Sequence, residues 1–357
     1  MSKPLIRVAL IGQGFMGRAH SNAYRQAPHF FDLPYDLDCR LLCGRNRDVL
    51  EKTAATWGWS EISTDWRAAV ARSDIDLVDI AVPNALHAPI ALAAAEAGKM
   101  VLCEKPLATS AEEAVRMAEA ARGVPNFVWF NYRRVPAVAL CRRFIDEGRI
   151  GRVFHYRATY LQEWGNDPTR PPGWKTQRAE AGSGVLGDLL SHLVDTALWL
   201  NGPIREVCSL LETFATGRDV DDAVMLLARF ANGSIGTFEA TRYAVGYTNC
   251  NAFTIHGEGG MLRFNLEEMN WLEYAEAAAP RERRGIVRVP VANPSFWKPG
   301  HPIGYEHTFI AALADFLFGL SRGEAAHPTF EDGRETAGVL DAAARAAAAR
   351  AWVPVTI

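Results

Sequence analysis

Between residues 5 and about 131, short apolar runs rich in β-formers alternate with helical stretches. The runs are LIRVALIG (5–12), CRLLCG (39–44), LVDIAV (77–82), MVLCE (100–104) and NFVWFN (126–131). Helices are expected from about Phe15, Asp48, Leu86 and Ser110. Such alternation implies a parallel sheet with crossover helices. The runs are mainly apolar rather than alternating, as strands covered on both faces should be. A further helix, roughly Val135 to Glu147, leads out of this region. After Gly151 the texture changes. Segments such as RVFHYRATYLQEW (152–164), AVMLLARF (223–230), SIGTFEATRYA (234–244), NAFTIHG (251–257) and MLRFN (261–265) are separated by turn signals. They read as a mainly antiparallel sheet, accompanied by helices over 187–200, 305–320 and 332–350. The expected fold is an α/β Rossmann domain, residues 1–131, followed by an α+β domain with a large open sheet, residues 132–357.

A chain of 357 residues is long enough for two cores. With 49% hydrophobic and 22% charged residues it has ordinary globular composition. A formal net charge of −3, with no basic run interleaved with aromatics, gives no footing for DNA or RNA. No run of about eighteen apolar residues could span a bilayer, and MSKPLIRVALIG passes straight into a strand, so a cytoplasmic location is expected. The six cysteines are scattered through apolar segments without CxxC or clustering with His, so they are expected as buried reduced thiols, with no metal site.

The first strand ends in Gly12-Gln13-Gly14-Phe15-Met16-Gly17 and opens a helix. In that setting Gly12 permits the tight turn, Gly14 admits the pyrophosphate, and Gly17 lets helix and strand pack closely. Gly12, Gly14, Phe15, Met16 and Gly17 are therefore assigned to cofactor binding. The second run ends Cys43-Gly44-Arg45-Asn46, without the carboxylate that reads the ribose hydroxyls of NAD. Arg45 could instead pair with the 2′-phosphate of NADP, or be a solvated loop arginine. The expected cofactor is NAD or NADP, with a slight lean towards NADP being accepted.

Two constellations carry candidate chemistry. Lys105 follows the fourth run in CEKP and would project beside the nicotinamide, where it could hydrogen-bond the substrate oxygen or pass a proton. It could equally bridge Glu104 or a phosphate. The chain must turn at once after the strand, so the Lys105–Pro106 bond is expected to be cis or in a sharp turn. In the helix over 187–200, Asp188 and His192 stand four apart and Asp195 follows three later, so a helical face would carry an imidazole beside a carboxylate, a plausible general base. A helix N-terminal charge with a core histidine, or a metal site, would also fit; no further metal ligand is evident nearby.

GQGFMG (12–17), VPNALH (82–87), CEKP (103–106), FNYRR (130–134) and GDLLSHLVD (187–195), in this order, resemble the Gfo/Idh/MocA oxidoreductase family over essentially the whole chain. The resemblance implies Lys105, Asp188 and His192 as catalytic trio: His192 takes the hydroxyl proton, Lys105 assists, and Asp188 orients substrate or base. It also implies that the open sheet forms a homodimer or homotetramer. Within the family, FMGRAHSNAY, NYRRVPAVAL, TYLQEW and AGSGVLGD are most similar to members that oxidise the C3 hydroxyl of pyranose or anhydro sugars. By that likeness Tyr132, Gln162, Trp174, Lys175 and Tyr305 line the sugar or polyol pocket with Lys105, Asp188 and His192, ordinary packing or a surface contact being the alternative for each of the first five. Asn84, His87, Glu104 and Asn131 fall at strand ends around the crevice and are expected, with Arg45 and Lys105, to contact the cofactor. Two other functions share this fold: a sugar-sensing regulator and an NAD-dependent glycosidase. The intact trio argues against the first, and Lys105 against the second.

Overall fold

Strand β1 (Leu5–Ile11) is fully buried over Val8–Leu10, so it can only be an inner strand with helices on both sides. The computed structural model describes residues 3–356 apart from 168, 170, 172, 292 and 299, and of residue 283 the backbone alone. After β1 come α1 (Phe15–Phe30), β2 (Asp36–Cys43), α2 (Arg47–Trp57), β3 (Glu61–Ser63), α3 (Trp66–Ala71) and β4 (Leu77–Ile80). Then follow α4 (His87–Glu96), β5 (Met100–Cys103), α5 (Ala111–Ala120) and β6 (Asn126–Val128). All pairings are parallel, in the order β3-β2-β1-β4-β5-β6. The chain order reverses between β1 and β4, and the crevice beyond the strand ends at such a reversal is where open α/β sheets bind ligands. The edge pair β3 and α3 escapes a reading of the sequence, because three residues of strand give no usable period.

The second sheet forms from α6 (Pro136–Asp146) onwards. Its elements are β7 (Val153–Leu161), a short α7 (Arg178–Ala181), α8 (Ser191–Asn201), β8 (Ile204–Glu212), β9 (Ala223–Phe230), β10 (Ile235–Thr241), β11 (Cys250–Gly257), β12 (Gly260–Asn265), β13 (Trp271–Glu276) and β14 (Val287–Pro290). The chain closes with α9 (Tyr305–Arg322), α10 (Phe330–Ala349) and β15 (Val353–Pro354). The sheet order is β14-β13-β12-β11-β7-β10-β9-β8-β15, antiparallel throughout except for β7 against β10. Burial alternates along β9 and β10: one face lies under helices and the other is open.

Two compact units divide the chain. The first holds the parallel sheet, residues up to 131, together with residues 304–334, a segment the sequence reading places with the second domain. There α9 packs on α1, and the chain after it lies along β6, where the Val128 amide donates to the Pro328 carbonyl at 2.8 Å. The second unit holds residues 132–303 and 335–357, so the division falls within α10.

Candidate active site

In the first unit the loop between β1 and α1 is a cradle that side chains would fill. Gly12 adopts φ +141°, and a Cβ there would lie 2.1 Å from the Ala81 carbonyl oxygen. A Cβ on Gly17 would lie 2.1 Å from the Gly12 carbonyl oxygen, so this glycine sets how closely α1 approaches the loop. At Gly14 a Cβ would meet nothing within 4 Å, which leaves open the ledge where phosphate oxygens can approach backbone. Gly14 caps α1 without a side-chain acceptor, and the first turn carries no acidic residue, so its amides are available to an anion. These features fit the pyrophosphate of a dinucleotide. Phe15 is 63% exposed and stacks on Tyr305, ring centroids 6.4 Å apart. Tyr305, expected at the sugar, thus stands in the first unit beside the glycine loop.

At the tip of β2 the Gln13 side chain lies across Gly44, and a Cβ at 44 would fall 2.1 Å from Gln13 Oε1. That oxygen accepts the Asn46 amide at 3.1 Å, and Asn46 Oδ1 in turn caps α2 through the Val49 amide. A carboxylate at position 44 would therefore have to displace the glutamine amide. Arg45 is exposed.

Lys105 leaves the end of β5, next to β4 and the reversal, and the Lys105–Pro106 bond is cis, in agreement with the expectation of a tight turn. Its amide donates to Glu104 Oε2 at 3.1 Å. Asn84 is buried after β4. His87 is fully buried, with Nδ1 2.9 Å from the Pro106 carbonyl and Nε2 3.0 Å from the Val82 carbonyl, so it ties together the loops after β4 and β5. Burial lowers its pKa, against the two carbonyls, which favour the charged ring. Asn131 Nδ2 donates to Thr308 Oγ1 at 2.8 Å.

In the second unit, residues Leu186–Leu190 form a π-helical turn that runs into α8. Such turns cluster at functional sites. Here the turn removes the α-helical meaning of the four-residue spacing from Asp188 to His192. Asp188 Oδ1 accepts from Lys175 Nζ at 2.9 Å and Oδ2 from Arg242 Nη2 at 3.1 Å, so the carboxylate sits between two cations. Buried His192 packs against aromatic rings, its centroid 4.6 Å from that of Tyr132 and 5.9 Å from that of Tyr160. Asp195 belongs to the fold: Arg133 grips it with two hydrogen bonds, at 2.6 and 3.0 Å, and both side chains are buried.

A polar relay continues from the tyrosines. The hydroxyls of Tyr132 and Tyr160 are 3.1 Å apart, and Tyr160 donates to Asn249 Oδ1 at 2.9 Å. Gln162 Nε2 donates to the same oxygen at 2.7 Å, and Trp164 Nε1 to Gln162 Oε1 at 2.6 Å. Arg242, fully buried, lies 4.6 Å over the Trp164 ring, and Lys175 Nζ 5.7 Å over that of Trp174. Tyr160 and Trp164 fall within TYLQEW, which the sequence offers only as a likeness, and neither they nor Asn249 and Arg242 are among the expected site residues; only the pairing of β7 with β10 and β11 brings them together.

Residues 6–132 match the model of the oxidoreductase family with an NAD-binding Rossmann fold, and residues 138–263 the GFO/IDH/MocA C-terminal domain. Levoglucosan dehydrogenase of Pseudarthrobacter phenanthrenivorans is 41% identical, with 98% of each chain covered. The chain belongs to the Gfo/Idh/MocA oxidoreductase family. A solved levoglucosan dehydrogenase in complex with NADH is 42% identical, with 99% of each chain covered and a TM-score of 0.96. Inositol 2-dehydrogenase of Rhizobium meliloti, at 25% identity over 98% of this chain and 99% of its own, represents the more distant members. As a Gfo/Idh/MocA protein the chain is an oxidoreductase with an NAD-binding Rossmann domain, which accords with the cradle at Gly12, Gly14 and Gly17. Among the described residues no helix is long and apolar enough to cross a membrane, and no group of three or more His, Cys, Asp or Glu could hold a metal ion.

Proposed function

We propose that this chain is a cytoplasmic dehydrogenase that oxidises a secondary hydroxyl of a sugar, anhydro sugar or polyol. The observation that carries the reading is the cluster of the second unit: an imidazole packed on two tyrosine rings, a carboxylate between two cations, and a relay of hydroxyl and amide groups. A sugar offers hydroxyls to such a relay and apolar C–H faces to aromatic rings such as Trp174. In this mechanism His192 takes the proton of the hydroxyl being oxidised. Lys105 donates a hydrogen bond to the same oxygen, and Asp188 orients the substrate or the base. NAD, when bound at the glycine loop, supplies the acceptor for the hydride. Asn84, His87, Glu104 and Asn131 shape the strand ends around it.

Three finer points belong to the same reading. The likeness to levoglucosan dehydrogenase supports an anhydro sugar, and oxidation at its C3 hydroxyl is part of the proposal. Gly44 and the exposed Arg45 support binding of NADP no more than about tenfold weaker than NAD, a gap of about 1.4 kcal/mol. On the open face of the second sheet, Leu210 and Leu227 are 63% and 49% exposed and Met225 stands opposite Leu210, which supports a homodimer or homotetramer formed by that face. Light scattering on the parent and on Leu227→Glu tests this; a parent that is monomeric at micromolar concentration counts against it.

The test of function is the formation of reduced cofactor over a panel of monosaccharides, anhydro sugars, glycosides and inositols. The reading predicts stoichiometric NADH and a keto-sugar product from at least one of them, with levoglucosan among the best. Glycosidic cleavage without net reduction, or tight sugar binding without turnover, would contradict it.

A further inference from the structure

Behind the glycine loop, α1 carries a histidine that neither the phosphate cradle nor the sugar cluster uses. His20 is fully buried, with Nδ1 3.0 Å from Asp79 Oδ2 on β4 and Nε2 3.0 Å from Glu104 Oε1 just after β5. Both ring nitrogens face carboxylate oxygens, and an imidazole donates from both only as the cation. Burial opposes that charge, but Asp79 and Glu104 outweigh it and push the pKa up to about 9. Asp79 is completed by the Tyr24 hydroxyl at 3.0 Å and Trp129 Nε1 at 2.9 Å. The rings of Trp129 and Phe309, 4.3 and 5.7 Å from the imidazole, carry no charge. Other titratable groups near the two carboxylates are the Cys103 thiol, held neutral because burial raises its pKa well above the usual value, and the fully buried His87, whose pKa burial lowers although Glu104 works against this.

Glu104 has a second oxygen, and it receives the Lys105 amide at 3.1 Å. The chain of contacts therefore runs from α1 through His20 and Glu104 to the first peptide beyond β5. A core that needed only stability could fill this space with apolar side chains, which is often neutral or better than a buried ionic cluster. We propose that His20 is a positioning residue for Lys105: by holding Glu104 it fixes the Lys105 peptide and with it the direction in which the Lys105 amine leaves the strand. The inference rests on the catalytic role given to Lys105 above.

Hydrogen exchange of the Lys105 amide in the full chain tests it without reference to activity, and steady-state kinetics then test the consequence. In His20→Gln the amide should exchange at least tenfold faster than in the parent, while the amides of β1 and β2 keep their rates. Turnover should fall at least tenfold, with the sugar KM and the NAD dissociation constant changed less than threefold. Tyr24→Phe removes a hydrogen bond from the same cluster but leaves the His20–Glu104 contact, and should alter neither exchange at Lys105 nor turnover. A folded His20→Gln with parental exchange at Lys105 overturns the inference, as does a Tyr24→Phe variant that loses as much turnover. If His20→Gln does not fold, the parent decides: exchange at Lys105, corrected for base catalysis, should quicken as pH rises through about 9, and a flat profile overturns the proposal. Should no sugar be oxidised by the parent while exchange still depends on His20, the functional reading fails and the positioning role stands.

Discussion

Asp188 and Asp195 look alike in the sequence, three or four residues from the same histidine, yet their surroundings give them different work. Asp195 is closed off by Arg133, which lies sixty-two positions earlier and which nothing local to α8 announces. Removing one partner of such a buried pair leaves the other charge unmatched, so Asp195→Ala should cost about 3–5 kcal/mol in urea denaturation. Its turnover, corrected for the unfolded fraction, should stay near the parent's; an intact fold with lost turnover would move Asp195 into the chemistry. His20 gives a pH dependence of definite sign. Its pKa rises on folding from the usual 6.5 to about 9, burial opposing the charge and the two carboxylates prevailing. The stabilisation is fully present below pH 6.5 and is lost as pH rises through 9. The shift corresponds to on the order of 3 kcal/mol. Unfolding midpoints at pH 6 and pH 9.5 should converge for parent and a folded His20→Gln at the higher value; an unchanged gap would argue against a charged histidine.

At the scale of elements, the first unit was legible where apolar runs were long. The strands that became β1, β2, β4, β5 and β6 announce themselves because most of their positions are apolar and buried, without the alternation of a half-exposed strand. The roles of Gly12 and Gly17 were legible as well, since each is a local steric demand. The π-helical turn at Leu186–Leu190 was not: its apolar composition suits an α-helix equally, and the inserted residue shows only when side-chain neighbours are seen. Likewise Gly44 reads as a missing acid, whereas the structure puts the Gln13 amide in the space a side chain there would need. The glycine loop separates folding from binding. Gly12→Ala should destabilise the chain, because its Cβ would strike the Ala81 carbonyl at a φ of +141°. Gly14→Ala, with open space around it, should melt within a degree or two of the parent yet bind NAD at least tenfold more weakly, a loss of about 1.4 kcal/mol. Fluorescence titration beside melting curves checks both; parental NAD affinity in Gly14→Ala would remove the pyrophosphate from that ledge.

On the scale of the molecule, the groups assigned to the reaction are shared between two units. The glycine loop and Lys105 belong to one, Asp188 and His192 to the other. Sequence order could not reveal that residues 304–334 rejoin the first unit, because the return depends on α9 packing against α1 rather than on any motif. The division has a functional corollary: loss of the base should leave cofactor binding intact, since the pyrophosphate cradle lies in the other unit. The most direct measurement is therefore turnover of His192→Ala on the best sugar found, taken together with its NAD affinity and melting temperature. Turnover should fall roughly 10²- to 10⁴-fold at unchanged NAD affinity and with an intact fold. A fully folded His192→Ala that turns over at close to the parental rate would contradict it.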